Sequence, residues 1–291
     1  MIAGQKIQAV TFDVGGTLIR PWPSVGHVYA DVAARHGVKN LSPETLNRNF
    51  AAAWRARRNF QHTREDWARL VDQVFTGICQ PPPSRTFFPA IYERFAEADP
   101  WRVYDDVLPA LDALASLDIR LALISNWDER LRPLLRRLRL DRYFEIVVVS
   151  CEVGFAKPSP VIFEHASRRI GVPPAQIIHA GDSYGEDVAG ARAAGFQPVL
   201  IDRPPASASA VLPQQSRTGE EETANRSQIA LGTPEPDPDT GDPYQEGNSY
   251  GADEGAVPGQ SMVRGTGEGC EGGRVERILS LRDLESLISH C

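Results

Sequence analysis

Short apolar runs alternate with amphipathic segments along most of the chain, and each pattern predicts a different element. The first run begins at Ile7, ends at Asp13 and is followed by Gly15-Gly16, which predicts a strand and then a tight turn. Four more runs predict strands, at Ile119 to Ile124, Phe144 to Val149, Gln176 to Ala180 and Gln197 to Ile201. Amphipathic helices are predicted around them, at Asp106 to Leu117, Arg130 to Leu140, Ser159 to Ile170 and Gly185 to Ala194. This alternation is typical of an α/β fold with a parallel sheet.

Between the first strand and the remaining ones, residues 21–99 show only helical patterns. Helices are predicted at Ser24 to Gly37, Pro43 to Arg58, Arg64 to Cys79 and Phe87 to Ala98. We therefore expect a helical cap inserted at 21–99, after the first strand. Its large apolar residues should form a core of their own: Trp22, Trp54, Trp67, Phe75 and Phe88.

Polar residues of this cap are candidates for contact with a ligand, but the simpler interpretation is structural. We expect packed or solvated side chains rather than ligands at three histidines: His27, His36 and His62. A solvated helix face is likewise favoured, over contact with an anionic substrate, for three arginines: Arg55, Arg57 and Arg58.

A change of composition separates residues 204–273 from the rest of the chain. This tract holds twelve Gly and eight Pro, and its twelve acidic residues against three Arg give a charge of −9. With few large apolar residues to offset the entropy of ordering, we expect a disordered acidic insertion. Arg274 to Ile278 then predicts a short strand and Leu281 to Ile288 a helix, so the core should comprise 1–20, 100–203 and 274–291.

Composition also limits the class of partner. The net charge is −7, so by subtraction the chain outside the acidic tract carries about +2, which argues against a nucleic-acid partner. We find no run of eighteen apolar residues and no room for a signal peptide before the first strand, so we expect a cytoplasmic protein without membrane contact. Recruitment of a protein partner by 204–273 is a less favoured alternative to a tolerated insertion.

Cysteine spacing indicates neither a disulfide framework nor a zinc site. The four cysteines are widely separated, without a CxxC pair or a histidine at zinc spacing, and we expect free thiols: Cys79, Cys151, Cys270 and Cys291.

Polar residues follow four successive predicted strands, and a parallel sheet brings such strand ends to one edge. These residues are Asp13, Ser125-Asn126, Lys157, and Gly181-Asp182 with Asp187. Each type has a chemical use. Asp13 is a candidate carboxylate nucleophile, and the Gly15-Gly16 amides can donate to a phosphate. Asp13, Asp182 and the Gly15 carbonyl offer oxygen ligands for Mg²⁺, while Ser125 and Lys157 would hold the phosphoryl oxygens.

Four motifs at these positions resemble those of the haloacid dehalogenase superfamily: FDVGGTL, ISN, the Lys of VGFAKPSP, and GDSYGED. Their order and approximate spacing match, and the helical cap directly after the first motif is similar to that of subfamily IA. Two further segments, WRVYDDVLPAL and SNWDERL, resemble one group within it. The resemblance covers nearly everything except 204–273.

The resemblance implies a Rossmann-like core and a Mg²⁺-dependent hydrolase that acts on a small phosphorylated substrate through an aspartyl-phosphate on Asp13. It implies catalytic roles for Asp13, Ser125 and Lys157. Phosphate contacts are implied for Gly16, Ser125, Asn126 and Lys157. The implied metal site comprises Asp13, Gly15, Asp182 and, as support behind the ligands, Asp187. We take Thr17 as a hydroxyl that stabilises the turn.

One position departs from the phosphatases of the superfamily. They carry a second Asp two residues after the nucleophile, as acid for the leaving group and base for water, and here this position is Gly15. Positioned proton transfer is typically worth about 10²- to 10⁴-fold in rate. Two alternatives therefore stay open: a metal-independent dehalogenase-like hydrolase, and a catalytically weak phospholigand-binding or scaffolding protein. The GD of the fourth motif favours the metal-dependent phosphatase over the dehalogenase.

Overall fold

The central strand of the sheet is the first predicted strand. In the computed structural model, which describes residues 6–203 and 275–289, β1 (Ala9–Phe12) is completely buried. It lies beside β4 (Arg120–Ser125) on one side and β6 (Ile177–Gly181) on the other, and pairs in parallel with both. Thr11 is in register with Ala122 and His179. This arrangement confirms the predicted parallel α/β core.

The other strands extend the sheet outward from this centre. β5 (Ile146–Val149) lies beyond β4, whereas β7 (Gln197–Ile201) and β8 (Glu276–Ile278) lie beyond β6, so the order is β5-β4-β1-β6-β7-β8. All five pairings are parallel. The carboxyl ends of the strands therefore share one edge.

Helices cover both faces of the sheet because alternate residues of each strand point to opposite sides. Val10 and Phe12 pack with helices α5 (Val107–Ser116), α6 (Leu131–Arg137) and α10 (Asp283–Ser289). Ala9 packs on the other face with α8 (Pro160–Ile170) and α9 (Ala189–Ala193). A short helix, α7 (Ser150–Val153), follows β5 directly. Single 3₁₀ turns complete the described elements, at Pro83–Arg85, Asp141–Tyr143 and Pro174–Gln176.

Two short strands were not predicted. β2 (Ile19–Pro21) and β3 (Trp101–Val103) form an antiparallel pair in which Arg20 is opposite Arg102. Three residues are too few to show an alternating pattern. This pair joins the two ends of the helical segment at the point where it leaves and re-enters the core.

The four predicted cap helices are present, and the first three begin at residues whose side chains cap them. They are α1 (Val25–Arg35), α2 (Pro43–Ala56), α3 (Arg64–Val74) and α4 (Phe88–Arg94). The Ser42 hydroxyl accepts a hydrogen bond from Thr45 N before α2, with Pro43 in the first turn. Thr63 and Asp66 form a reciprocal capping box at α3. Both α3 and α4 end several residues earlier than predicted.

The cap has a core of its own, with one correction to the predicted set. Phe75 and Phe88 are buried in it, and Trp54 and Trp67 pack against it. Trp22 lies outside this cluster. Instead, its ring lies beneath the guanidinium groups of Arg20 and Arg102, at 4.9 and 4.3 Å from its centroid.

The predicted helix at Gly185 to Ala194 has an unusual start. It begins as a π-helical turn, Tyr184–Val188, before it continues as α9. Such turns are rare and occur often at functional sites. Apolar spacing does not distinguish the two kinds of helix over five residues, so this difference was not visible in the sequence.

One carboxylate connects the chain segments on either side of residues 204–274. Oδ2 of Asp106 accepts hydrogen bonds from Arg203 Nη1 at 2.7 Å, from Ser280 Oγ at 3.0 Å and from Leu281 N at 2.8 Å. The predicted acidic insertion at 204–273 itself lies outside the described residues. So do Cys270 and Cys291, whereas Cys79 and Cys151 are free thiols. In residues 6–203 and 275–289, each helix is too short or too polar to cross a membrane.

Candidate active site

The sheet edge brings the predicted nucleophile and its predicted partners into contact. Asp13 comes directly after β1, and Ser125 is the last residue of β4. Oδ1 of Asp13 accepts a hydrogen bond from Lys157 Nζ at 2.6 Å and another from Ser125 Oγ at 3.1 Å. Ser125 and Lys157, each more than a hundred positions after Asp13 in the sequence, therefore meet at one of its carboxylate oxygens.

Lys157 is the buried cation of the site. Its ammonium lies 2.6 Å from Oδ1 of Asp13 and 2.6 Å from Oδ1 of Asp187, and the residue is only 4% exposed. Burial alone would lower the pKa of this lysine, but the two carboxylates outweigh it and hold the pKa above its ordinary value. Lys157 is therefore a fixed positive charge beside the nucleophile.

Asp187 holds this lysine from behind. Its Oδ1 accepts from Lys157 and from His179 Nε2 at 3.1 Å, and its Oδ2 accepts from Ser183 N at 2.9 Å. Burial would raise the pKa of Asp187, but Lys157 and His179 hold it well below its usual range. Since both of its oxygens carry hydrogen bonds, Asp187 positions Lys157 and the turn after β6.

The histidine behind Asp187 has a defined tautomer. His179 is fully buried, and burial lowers its pKa, so its ring is neutral. Because Nε2 faces the Asp187 carboxylate, it carries the proton, and Nδ1 accepts from Thr11 Oγ1 at 2.9 Å. The sequence analysis did not identify His179 or Thr11. Both lie inside strands and read there as ordinary core positions.

Three acidic residues form a cluster that fits a hard divalent cation. Asp13, Asp182 and Asp187 each offer a carboxylate oxygen, and these atoms lie within 4.8 Å of one another. Asp182 as a residue is exposed to solvent, but partial desolvation of its carboxyl, followed by the charges of Asp13 and Asp187, raises its pKa to about 7. Burial also raises the pKa of Asp13 to about 6, against the lowering effect of Lys157. Closely spaced carboxylates that resist ionisation are the donor set that Mg²⁺ favours.

Gly15 and Gly16, which follow Asp13, each lie close to a side chain that leaves little room for a larger residue. Gly16 has φ +85°, and a Cβ there would lie 2.3 Å from Oδ2 of Asp182. Gly15 lies outside the left-handed region, and a Cβ there would meet Cζ3 of Trp127 at 3.2 Å. Gly16 is therefore required by both conformation and space, whereas at Gly15 only the Trp127 ring restricts a side chain.

Asn126 forms hydrogen bonds with the main chain of Lys157. Its Oδ1 accepts from Lys157 N at 2.7 Å, and its Nδ2 donates to Lys157 O at 2.9 Å and to Glu186 Oε2 at 3.1 Å. These contacts position Lys157, and contact between Asn126 and phosphate stays a prediction.

Thr17, predicted to stabilise the turn after β1, has one contact at the site. Its Oγ1 donates a long hydrogen bond of 3.4 Å to Oδ1 of Asp182.

The cluster forms the floor of a cavity of about 300 Å³ between the sheet edge and the cap. All the predicted site residues line it: Asp13, Gly15, Gly16, Ser125, Asn126, Lys157, Asp182 and Asp187. The cap supplies the opposite wall, which is largely aromatic: Tyr29, Phe50, Trp54, Trp67, Phe88, Tyr92 and Phe95.

Two arginines in this wall link the cap to the core, and neither was selected from the sequence as a site residue. Arg57 donates from Nη2 to Glu186 Oε1 at 2.8 Å, and its guanidinium lies 3.7 Å above the Trp54 ring. Arg130 forms a two-point ion pair with Asp128 and donates from Nη1 to Tyr92 O at 2.8 Å. The favoured expectation of a solvated face was therefore wrong for Arg57.

The sequence contained only indirect signals for these wall residues. Trp127 directly follows the Ser125-Asn126 motif, and this position in the sequence indicates a place next to the site. His62 is buried, in line with the expectation that this histidine is packed, and it also lines the cavity. Which cap side chains face the core depends on how the cap docks, and helical spacing does not specify this.

Comparison with known proteins identifies the family of the chain. A model of the haloacid dehalogenase-like hydrolase family matches residues 7–195. The chain is 34% identical over 207 residues to haloacid dehalogenase-like hydrolase domain-containing protein 3 of Xenopus laevis, covering 67% of this chain and 84% of the relative. It is 28% identical to the phosphoglycolate phosphatase of Chromobacterium violaceum, covering 68% and 86%.

The fold of the chain is also similar to that of solved structures. The putative HAD-hydrolase YfnB from Bacillus subtilis, in a crystal form bound to magnesium, superposes with a TM-score of 0.58 at 18% identity, over 68% of this chain and 87% of that one. Together with the family match and the 34% identity to the Xenopus relative, the fold and the site lead to one conclusion. The chain belongs to the haloacid dehalogenase-like hydrolase family and is a hydrolase.

Proposed function

We propose that the protein is a Mg²⁺-dependent phosphatase that acts on a small phosphorylated metabolite through Asp13. One observation carries the proposal: a single oxygen of Asp13 accepts from both Lys157 and Ser125 at the floor of the cavity. These donors orient the carboxylate and leave Oδ2 as the attacking atom. The phosphatase name of the Chromobacterium relative supports the reaction class.

In this proposal Asp13 and Asp182 hold Mg²⁺, together with the Gly15 carbonyl, and Asp187 supports them from behind. Bound there, Mg²⁺ would supply positive charge that offsets the charge of the transferring phosphoryl group. The acidic cluster supports this assignment because Asp13 and Asp182 otherwise carry raised pKa values of about 6 and about 7.

The reaction requires two transfers. Oδ2 of Asp13 attacks phosphorus, the bond between phosphorus and the ester oxygen breaks, and an aspartyl-phosphate forms. Water then attacks this phosphorus, which releases phosphate and restores the carboxylate. In both steps the third N–H of Lys157 donates to a phosphoryl oxygen. The Ser125 hydroxyl rotates away from Asp13 to donate to another, and together they stabilise the charge of the phosphoryl group.

The proton for the leaving group is the unusual part of this reaction. Gly15 carries no acid, and the neighbouring acids are occupied, since Asp128 pairs with Arg130 and Glu186 with Arg57. The leaving group therefore departs as an anion or takes a proton from water. This requirement favours esters of more acidic alcohols and phenols.

An assay with and without metal tests the proposal. We expect hydrolysis of aryl and acyl phosphates with Mg²⁺, and loss of activity with EDTA or in Asp13→Asn. Asp118→Asn is a matched control, because Asp118 is exposed and its φ of +57° suits Asn. Turnover of a 2-haloacid that EDTA does not affect would instead support the dehalogenase alternative. Failure on every ester would support a phospholigand-binding role.

Two further expectations belong to this proposal. The free thiols of Cys79 and Cys151 support the cytoplasm, a reducing compartment, as the location. A protein partner of residues 204–273 is the less favoured alternative to a tolerated insertion. Co-purification of a partner with full-length protein, but not with a variant lacking 204–273, would establish it.

A further inference from the structure

A path of hydrogen bonds runs from the cap to the main chain of Lys157. Arg57 Nη2 donates to Oε1 of Glu186 at 2.8 Å, and the other oxygen of this carboxylate, Oε2, accepts from Asn126 Nδ2 at 3.1 Å. Asn126 in turn accepts from Lys157 N at 2.7 Å and donates to Lys157 O at 2.9 Å. The Glu186 side chain therefore lies between the cap and the residue that holds the lysine.

The π-helical turn Tyr184–Val188 holds Lys157 at both ends. Oδ1 of Asp187 accepts from the ammonium at 2.6 Å, and the preceding residue, Glu186, bonds to the amide that binds the lysine main chain. Ser183 fixes this turn, because its Oγ accepts from Glu186 N at 3.2 Å and its carbonyl accepts from Asp187 N at 2.9 Å. The turn that fixes the ammonium thus also carries the contact with the cap.

The side chain of Asn126 depends on this carboxylate. A primary amide has two N–H donors, and Nδ2 uses them on Lys157 O and on Glu186 Oε2. If Glu186 moved away, one of these donors would lose its acceptor and the amide would be free to turn. Because Asn126 binds both main-chain polar groups of Lys157, such a turn would release the backbone of the lysine.

The ion pair between Arg57 and Glu186 is a place where cap and core can separate. The two side chains are 25% and 30% exposed, and an ion pair that water reaches contributes only modestly to stability. Arg57 is oriented by the cap itself, since its Nη1 donates to Trp54 O at 2.7 Å. A second hydrogen bond between cap and core, from Tyr92 OH to Glu129 Oε1 at 2.8 Å, does not involve Asn126.

From these contacts we infer that Glu186 is a positioning residue, which couples docking of the cap to the placement of Lys157. With the cap docked, Arg57 orients the Glu186 carboxylate. The oriented carboxylate fixes Asn126, which holds Lys157. In the proposed phosphatase reaction, on which this inference rests, the lysine is therefore fully placed beside Asp13 only when the cap covers the substrate.

Amide hydrogen exchange, measured by NMR with Mg²⁺ present, tests the inference without a substrate. The Lys157 N–H should exchange about fivefold faster in Glu186→Gln than in the wild type, the equivalent of one hydrogen bond. The new amide has a single oxygen, so it cannot accept from both Arg57 and Asn126. Arg57→Met should have a similar effect on Lys157, although three successive hydrogen bonds separate the two residues.

Two comparisons separate this effect from a general loss of stability. The double variant should exchange no faster than either single variant, because both changes interrupt the same path. The buried amides of β1 and β4 should exchange at the wild-type rate in all three variants. Glu129→Gln is the matched control: Glu129 is exposed and accepts from the cap with one oxygen, so an amide there can keep the bond and leave Lys157 unchanged.

Turnover separates positioning from direct contact with the substrate. We expect kcat for acetyl phosphate, whose leaving group is small, to fall about fivefold in both Glu186→Gln and Arg57→Met. The double variant should show no further fall. If Arg57 instead bound the leaving group, Arg57→Met would impair phenyl phosphate and spare acetyl phosphate, which would overturn the inference.

The outcomes distinguish this inference from the proposed function. Exchange of the Lys157 amide at the wild-type rate in Glu186→Gln would overturn the inference and leave the phosphatase assignment intact. Effects of the two changes that multiply in the double variant would also overturn it. If the wild-type protein hydrolyses no ester, the proposed function fails, and the exchange rates alone decide whether Glu186 couples the cap to Lys157.

Discussion

Trp127 occupies the space into which a side chain at Gly15 would extend: a Cβ on that glycine would lie 3.2 Å from Cζ3 of the indole. The Trp127 ring in turn packs against Trp101, with centroids 5.4 Å apart. Since Gly15 is not in the left-handed region, conformation does not forbid a larger residue there. The absence of an acidic side chain at position 15 is therefore linked to Trp127, whose ring occupies the space that such a side chain would need.

This contact predicts how the acid can be introduced. Gly15→Asp alone should change little, because Trp127 crowds the new side chain, whereas Gly15→Asp with Trp127→Ala should provide both the acid and its space. We expect the ratio of alkyl to aryl phosphate turnover to rise at least about tenfold in the double variant, toward the range typical of general acids. Steady-state assays of both ester types, with the ratio taken within each variant, cancel any general loss of folded enzyme.

Gly15→Asn with Trp127→Ala is the isosteric control without an acid, and its ratio should stay at the wild-type value. The explanation would be wrong if the wild-type protein already hydrolysed alkyl and aryl phosphates equally well. Another group would then supply the proton. Two neighbouring acids, Asp128 and Glu186, could do so only after leaving their ion pairs with Arg130 and Arg57.

The acidic cluster predicts a pH-dependent response to Mg²⁺. The pKa values of Asp13 and Asp182 are about 6 and about 7 in the folded protein, above their ordinary value of 3.8. Between pH 4 and pH 7 the folded state therefore binds more protons than the unfolded chain, and the metal-free protein loses stability as the pH rises through this window. Mg²⁺ competes with these protons, so its stabilising effect should be small at pH 5 and large at pH 8.

Melting temperatures measured with and without Mg²⁺ at the two pH values check this prediction. At a free concentration a hundredfold above Kd, ligand linkage contributes about 2.7 kcal/mol. In Asp182→Asn we expect no Mg²⁺-induced shift at either pH. A wild-type shift that is equal at pH 5 and pH 8 would show that the ion binds elsewhere.

Lys157 lies between two carboxylates, and its removal should be costly. Lys157→Met leaves Asp13 and Asp187 buried without their cation, a change that typically destabilises a protein by about 3–5 kcal/mol. The loss should be smaller at pH 5 than at pH 8, because Asp13 is protonated more readily at the lower pH. Chemical denaturation at both pH values measures it. The exposed Lys39→Met is the control, and an equally small effect in both variants would contradict the ion-pair account.

The position of β8 predicts how the chain tolerates loss of residues 205–272. The segments around this tract meet at Asp106 and at the β7–β8 pairing, where Asp202 N donates to Ile278 O at 2.8 Å. Replacement of 205–272 by a short Gly/Ser linker should therefore leave the melting temperature and the phosphatase activity nearly unchanged, since closure entropy varies only slowly with loop length. Loss of soluble protein would show that the tract is structural.

Much of the floor of the site could be predicted from the sequence because Asp13, Ser125 and Asp182 lie at, or directly after, the carboxyl end of a strand. Once the strands are recognised as parallel, Asp13, Ser125 and Asp182 must share an edge. The wall was not accessible in this way. A helix such as α2 has an apolar face in any environment, and only docking decides that Arg57 turns toward Glu186.

Other features of the structure that the sequence did not predict also have local causes. The strands β2 and β3 are three residues each, too short for periodicity to reveal. The contact between Gly15 and Trp127 joins residues after two neighbouring strands, and it depends on a side-chain orientation that no spacing encodes. The engagement of Asn126 with the Lys157 main chain is of the same kind.

The hydrogen bonds to Asp106 bear on what a protease would do to this protein. Leu281 and Leu284, which lie beyond residues 204–274, are fully buried against the sheet, and the same carboxylate binds Arg203 before that segment and Ser280 after it. A single cut within 204–273 would divide the covalent chain without breaking any of these contacts. The two fragments should then remain together as a native complex, and a separately expressed C-terminal peptide should complement a chain that ends near residue 203.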